Sequence, residues 1–180
     1  MALTQTSLSL TNTTATVSAG AYTAGADLTI SSNSNIVVGM VVYVSTGSGV
    51  LPAGTTVTKV TSATSIQLSS GTTTNFAADT LTFFTRVLVS PTVDGKWLAA
   101  NITVQNQSAS QISVLLGDST VAPNSYGFQL IGVAAGLQKQ SITLGITSND
   151  AVYATCALGT SVPISVLTQR NTFTPQSYTG

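Results

Sequence analysis

Along residues 97–106 apolar and polar positions alternate: Leu98, Ala100, Ile102 and Val104 fall on one side, and Asn101, Thr103 and Gln105 on the other. A period of two predicts a strand with one face in a core and one in water. Residues 111–116 repeat the pattern through Ile112, Val114 and Leu116, and the NQSAS segment between the two runs reads as a hairpin connection. Further strands are predicted at 87–90, 126–131, 140–146, 152–157 and 161–169. The turn VDGK at 93–96 contains Asp-Gly, a strong hairpin signal. Seven strands in this half of the chain have the density of a β-sandwich.

The first half predicts strands at 14–18, 27–30, 37–45, 55–61, 65–69 and 79–85. The run 37–45 carries Val37, Val38, Met40, Val41, Val42 and Val44, so it is expected to be central and buried on both faces. The strands at 55–61 and 65–69 are joined by a tight SATS turn. Within the first of them the spacing from Val57 to Val60 breaks the period of two, which predicts a bulge or an edge near Lys59. Such a set forms a small barrel or sandwich. Helix signals are nearly absent: the chain has no Glu, few Lys and Arg, and no sustained spacing at i, i+3, i+4, i+7. Thr and Val dominate instead, and their branched Cβ atoms pack well on a pleated surface.

The fold class is therefore all-β, with two small antiparallel domains. A boundary near residue 85 gives an N-terminal β module at 1–85 and a C-terminal β-sandwich at 86–168; a single elongated sandwich is the alternative. Residues 169–180, QRNTFTPQSYTG, read as an extended C-terminal arm. Arg170, Phe173 and Tyr178 give it a base and two aromatics, and Pro175 blocks regular pairing. These four residues and Lys59 are the candidate interaction residues.

Composition sharpens the picture. Hydrophobic residues make up 43% of the 180, ample for a core, while charged residues make up only 6%. An ordinary soluble domain carries about 25%. The five acids are Asp27, Asp79, Asp94, Asp118 and Asp150, the five bases are Lys59, Arg86, Lys96, Lys139 and Arg170, and the formal net charge is zero. A surface of hydroxyls and amides with so little charge favours self-association, so copies of the chain are expected to cover one another. Lacking a basic cluster, the chain is not expected to bind nucleic acid. Its apolar runs are too short for a transmembrane helix, and MALTQTSLSL lacks the basic and apolar regions of a signal peptide. The single Cys156 excludes an internal disulfide and reads as a small core residue.

Candidate chemistry is sparse. The absence of His removes the commonest general base and metal ligand. A glycosidase needs two carboxyl groups across a cleft, whereas Asp94 and Asp118 sit in turn contexts, VDGK and LGDST. No phosphate-binding loop, dinucleotide fingerprint or EF-hand pattern occurs. Thr-x-Thr triplets such as Thr4–Thr6 and Thr56–Thr58 recur without the fixed period that an ice-binding solenoid requires. Trp97, at the start of the best strand, reads as a core anchor. No catalytic residue, metal, cofactor or small-molecule ligand is expected.

Two stretches carry a resemblance. Residues 36–70, IVVGMVVYVSTGSGVLPAGTTVTKVTSATSIQLSS, closed by LTF at 81–83, resemble a small β-module of bacteriophage tail and capsid accessory proteins. Residues 98–169, beginning LAANITVQNQSASQISVLLGDS, resemble phage structural β-sandwich domains. The resemblance implies a virion structural protein. It points first to a capsid decoration, or cement, protein on the outer capsid surface, assembled in the host cytoplasm. Such proteins are often trimeric and bind the major capsid protein. A tail, neck or fibre component that recognises a host glycan is the alternative, with Tyr22, Tyr43 or Tyr126 as its exposed aromatics.

Overall fold

A computed structural model describes residues 2–90, 97–123, 129–136, 138–146, 151–156 and 162–173. The described residues are all-β. In chain order the strands are β1 (Ala2–Leu10), β2 (Asn12–Thr16), β3 (Leu28–Thr29), β4 (Val41–Thr46), β5 (Val57–Ser62), β6 (Ser65–Leu68) and β7 (Thr80–Phe84). There follow β8 (Val87–Ser90), β9 (Trp97–Asn106), β10 (Ile112–Gly117), β11 (Gln129–Val133), β12 (Lys139–Ile146), β13 (Val152–Cys156) and β14 (Val162–Phe173). Two compact units result: Thr11–Arg86 is one, and Met1–Leu10 with Val87–Gly180 is the other.

The larger unit holds two four-stranded antiparallel sheets, β1-β14-β9-β12 and β11-β10-β13-β8. Counted within the unit, the first sheet takes its first, eighth, third and sixth strands, and the second takes the fifth, fourth, seventh and second. That is the strand order of a jelly roll, two Greek keys folded across one core. The period of two seen in the sequence supplies the core. Ile102 and Val104 from β9 meet Ile112, Val114 and Leu116 from β10 and Ala154 and Cys156 from β13, all buried. Burying each larger aliphatic side chain stabilises the fold by about 1.5–3 kcal/mol. Leu10, fully buried, brings the end of β1 into the same core.

Three expectations are corrected in this unit. The first ten residues do not belong to the N-terminal module; β1 pairs along its whole length with β14, from Ala2↔Arg170 to Leu10↔Val162. The arm does not begin at residue 169, because β14 continues to Phe173 and pairs there with Trp97 on β9. NQSAS is not a hairpin, since β9 and β10 lie in different sheets. The connection crosses the sandwich, and Asn106 organises the crossing. Its buried amide donates Nδ2–H to the carbonyls of Ser110 (2.6 Å), Val133 (3.2 Å) and Ala134 (3.0 Å). Its Oδ1 accepts from the N–H and the hydroxyl of Ser108, each at 2.8 Å. Carbonyls that a sheet would have paired are thus satisfied by one side chain. The VDGK turn lies outside the described residues.

Residues 11–86 stand as an insertion between the first two strands of the roll. They form two three-stranded antiparallel sheets, β2-β7-β4 and β3-β6-β5, around a core that includes Ile36, Met40, Ile66, Leu68, Leu81 and Phe83. Single bridges, Val17↔Ile30 and Val41↔Thr56, join the sheets at their corners. The unit is therefore a small sandwich-like fold rather than a closed barrel. The SATS turn forms as expected, with Ser62 opposite Ser65. The ladder slips between Val57 and Lys59, which is the bulge that the irregular apolar spacing required, and β5 is an edge strand.

The run 37–45 is corrected. Strand β4 starts only at Val41, and Val37 and Val38 are 53% and 60% exposed. The Met40 N–H donates to the Val37 carbonyl across a tight turn in which Gly39 has φ +91°. A positive φ at the third turn position is what glycine allows at no steric cost. The glycine therefore cuts the apolar run and turns its first two valines outward, while Met40 goes into the core.

Candidate interaction surface

The five candidate interaction residues are divided between the two units and the residues outside those described. Lys59 lies on the exposed edge of β5 in the inserted unit, and Arg170 and Phe173 lie in β14 of the jelly roll. Pro175 and Tyr178 fall outside the described residues.

Around Lys59 there is a small polar cluster. Asp27 accepts hydrogen bonds from Gln67 Nε2 (3.0 Å) and Thr61 Oγ1 (2.9 Å). These bonds, together with the nearby Lys59 charge, hold the Asp27 carboxyl below its usual range. A carboxylate is stabilised by hydrogen bonds to its charged form. The cluster ties the β5–β6 hairpin to the residue just before β3. Lys59 meanwhile keeps a charge on an edge that would otherwise invite pairing.

The other described acids serve their own loops. Asp79 is buried, and its carboxylate accepts from the backbone N–H of Ser48 (3.2 Å), Gly49 (2.6 Å) and Ala77 (3.2 Å). The TGSG segment wraps this carboxylate so closely that a Cβ on Gly47 would stand inside it. Asp118 accepts from the N–H and hydroxyl of Thr120, at 2.7 and 2.6 Å, in a local turn. Burial pushes the Cys156 thiol up to about 12. It is the protonated, unreactive form of a small core residue that sits there.

Of the aromatics expected to face a glycan, one is internal. Tyr22 is buried; its hydroxyl donates to the Ala26 carbonyl at 2.8 Å and accepts from the Leu68 N–H at 2.7 Å. Tyr43 is half-buried and meets Phe84 edge to face, with ring centroids 5.9 Å apart. Tyr126 lies outside the described residues. What the sequence missed is the Val37–Val38 turn, the most exposed pair among the described large hydrophobics. The signal was Gly39, whose punctuation was outweighed by the surrounding valines.

Among the described residues no group of three His, Cys, Asp or Glu could hold a metal ion. What these surfaces offer is shape, hydroxyls, amides and a few apolar side chains. Comparison with protein families, with curated proteins and with solved structures finds no match to this chain.

Proposed function

We propose that this protein is a virion structural protein, a capsid decoration protein that binds across neighbouring subunits of the major capsid protein and stabilises them. The observation that carries the reading is the architecture: an eight-stranded jelly roll with a second β module inserted in its first connection. Jelly rolls recur in viral capsid proteins and in lectins. A jelly roll also hosts other functions, so the tie to capsids is a fold analogy. It is joined by the resemblance of residues 36–70 and 98–169 to phage structural modules. A surface with only 6% charged residues is suited to being covered by protein. The described acids are engaged in holding loops.

The mechanism is binding without chemistry. Modest contacts to several subunits become strong when symmetry repeats them and when one bound molecule bridges a boundary. The glycan-binding alternative loses its support at Tyr22, which is internal. The test is co-sedimentation of the purified protein with capsids that lack it, followed by heating. Saturable binding and a raised temperature of capsid rupture are expected. No binding to capsids, with binding to tails or to a glycan array instead, overturns the assignment.

A further inference from the structure

The strand edges of the described residues are unequally guarded. An edge presents a row of N–H and C=O groups that pairs readily with another extended chain, and charge, proline, bulges or brevity deter this. In the inserted unit, β5 carries Lys59 and bulges, β4 slips between Val44 and Thr46, and β3 has two residues. In the jelly roll, β8 has four residues and a register shift, and β11 has five with Gly132 among them. The outer edge of β1 has none of these devices. Its nine residues, ALTQTSLSL, hold no charge, proline or glycine, and its ladder with β14 runs without a shift. Strand β14 lies on one side of β1, and among the described residues no strand lies on the other.

We propose that β1 is the surface through which two copies of this chain associate, pairing edge to edge and antiparallel about a two-fold axis at Thr6. The backbone selects the kind of occupant, because a strand edge is satisfied by another strand. The composition selects a second copy. Full overlap of the nine residues sets Thr6 opposite Thr6, Gln5 opposite the copy's Ser7 and Thr4 opposite its Leu8. No like charges meet, and Thr–Thr is a favourable cross-strand pair. The contact is isologous, so it closes with two molecules. It joins four strands from each copy into one continuous sheet. The rival is β1 against the copy's β12, the other end of the same sheet, which is guarded by Lys139 at its first residue. That contact is heterologous and does not close with two copies. The proposal is independent of the virion assignment, since it concerns the purified protein alone.

The test measures mass against concentration by sedimentation velocity, for the full chain and for Gln5→Lys with Ser7→Lys. These two positions flank Thr6 at the middle of β1. In the paired arrangement each new lysine faces another across the two-fold. The full chain is expected to be a dimer, and the variant to have a dissociation constant about tenfold or more higher. Circular dichroism and thermal unfolding of the variant at low concentration check that the roll is intact. Hydrogen exchange supplies a second readout that needs no variant. Amides of β1 in the full chain gain protection as concentration rises. A full chain that stays monomeric at all concentrations overturns the proposal. So do mass that grows beyond two copies and β1 amides whose protection ignores concentration.

Discussion

Thr11 and Thr85 clasp the neck of the inserted unit. The Thr85 N–H donates to the Thr11 carbonyl at 2.9 Å, and the Thr11 N–H donates to the Thr85 hydroxyl at 2.7 Å. The chain therefore enters and leaves residues 11–86 at one point, and the segment has its own core. Closely spaced ends and a private core are the conditions under which one domain is tolerated inside another.

Two outcomes are expected from that neck. A fragment of residues 11–86 should fold alone and unfold cooperatively in urea. Within it, Thr85→Val removes the acceptor for the Thr11 N–H and should cost about 1 kcal/mol, read as a lower urea midpoint with an unchanged slope. A fragment without a cooperative transition would show that the insertion depends on the roll.

Asn106 is expected to be among the least replaceable polar residues of the roll. Asn106→Ala removes the amide that serves the carbonyls of Ser110, Val133 and Ala134 and the acceptor of the Ser108 N–H, leaving the Ser110 carbonyl only the Ser108 hydroxyl at 2.8 Å, and should cost about 3 kcal/mol. Asn106→Asp should be worse than alanine, since it turns a carboxylate oxygen toward those carbonyls. Chemical denaturation of the two variants gives the order, and an aspartate that equals wild type would falsify the assignment of the amide.

Asp79 holds the loop between β4 and β5 to the segment that leads into β7. Asp79→Asn replaces one acceptor oxygen by a donor facing a backbone N–H, and a loss of about 2 kcal/mol is expected. Gly47→Ala should be at least as damaging, because Gly47 has φ +121° and its Cβ would displace the same carboxylate. Thermal unfolding of the isolated insertion reads both variants.

Asp27 gives the insertion a pH dependence of known sign. Its pKa is lowered in the folded state, first by the Gln67 and Thr61 hydrogen bonds. The folded state thus binds its proton less readily than the unfolded one. The resulting stability is complete above the ordinary carboxylate range and is lost as pH falls through the lowered pKa. Asp27→Asn should flatten this part of the acid limb. An NMR titration that finds Asp27 at or above the ordinary range would reject the account.

Much of the fold was legible because its physics is local. Alternation at 97–106 gave β9 with its bounds, and the break from Val57 to Val60 located the bulge beside Lys59. The SATS turn followed from short polar residues between two runs. The candidate site was less legible. Arg170 and Phe173 looked like parts of a free arm because Pro175 follows them, yet the strand runs on to Phe173, where it still has β9 as a neighbour. The Val37–Val38 pair looked buried because apolar runs usually are, and one residue with positive φ reversed that.

The sequence by itself determined the all-β class, the inward faces of β9 and β10 and the absence of His and Glu, since these depend on residue type and on periods of a few positions; β1 and the outward turn at Val37–Val38 escaped it. Tertiary structure alone decided which strands meet. It took the first ten residues across the whole chain to β14, sent the chain at Asn106 into the opposite sheet and closed residues 11–86 at Thr11 and Thr85. Those choices rest on backbone groups, which are alike at every position and carry no mark of their partner. The contest among pairings is settled by which arrangement buries both faces of the sandwich at once.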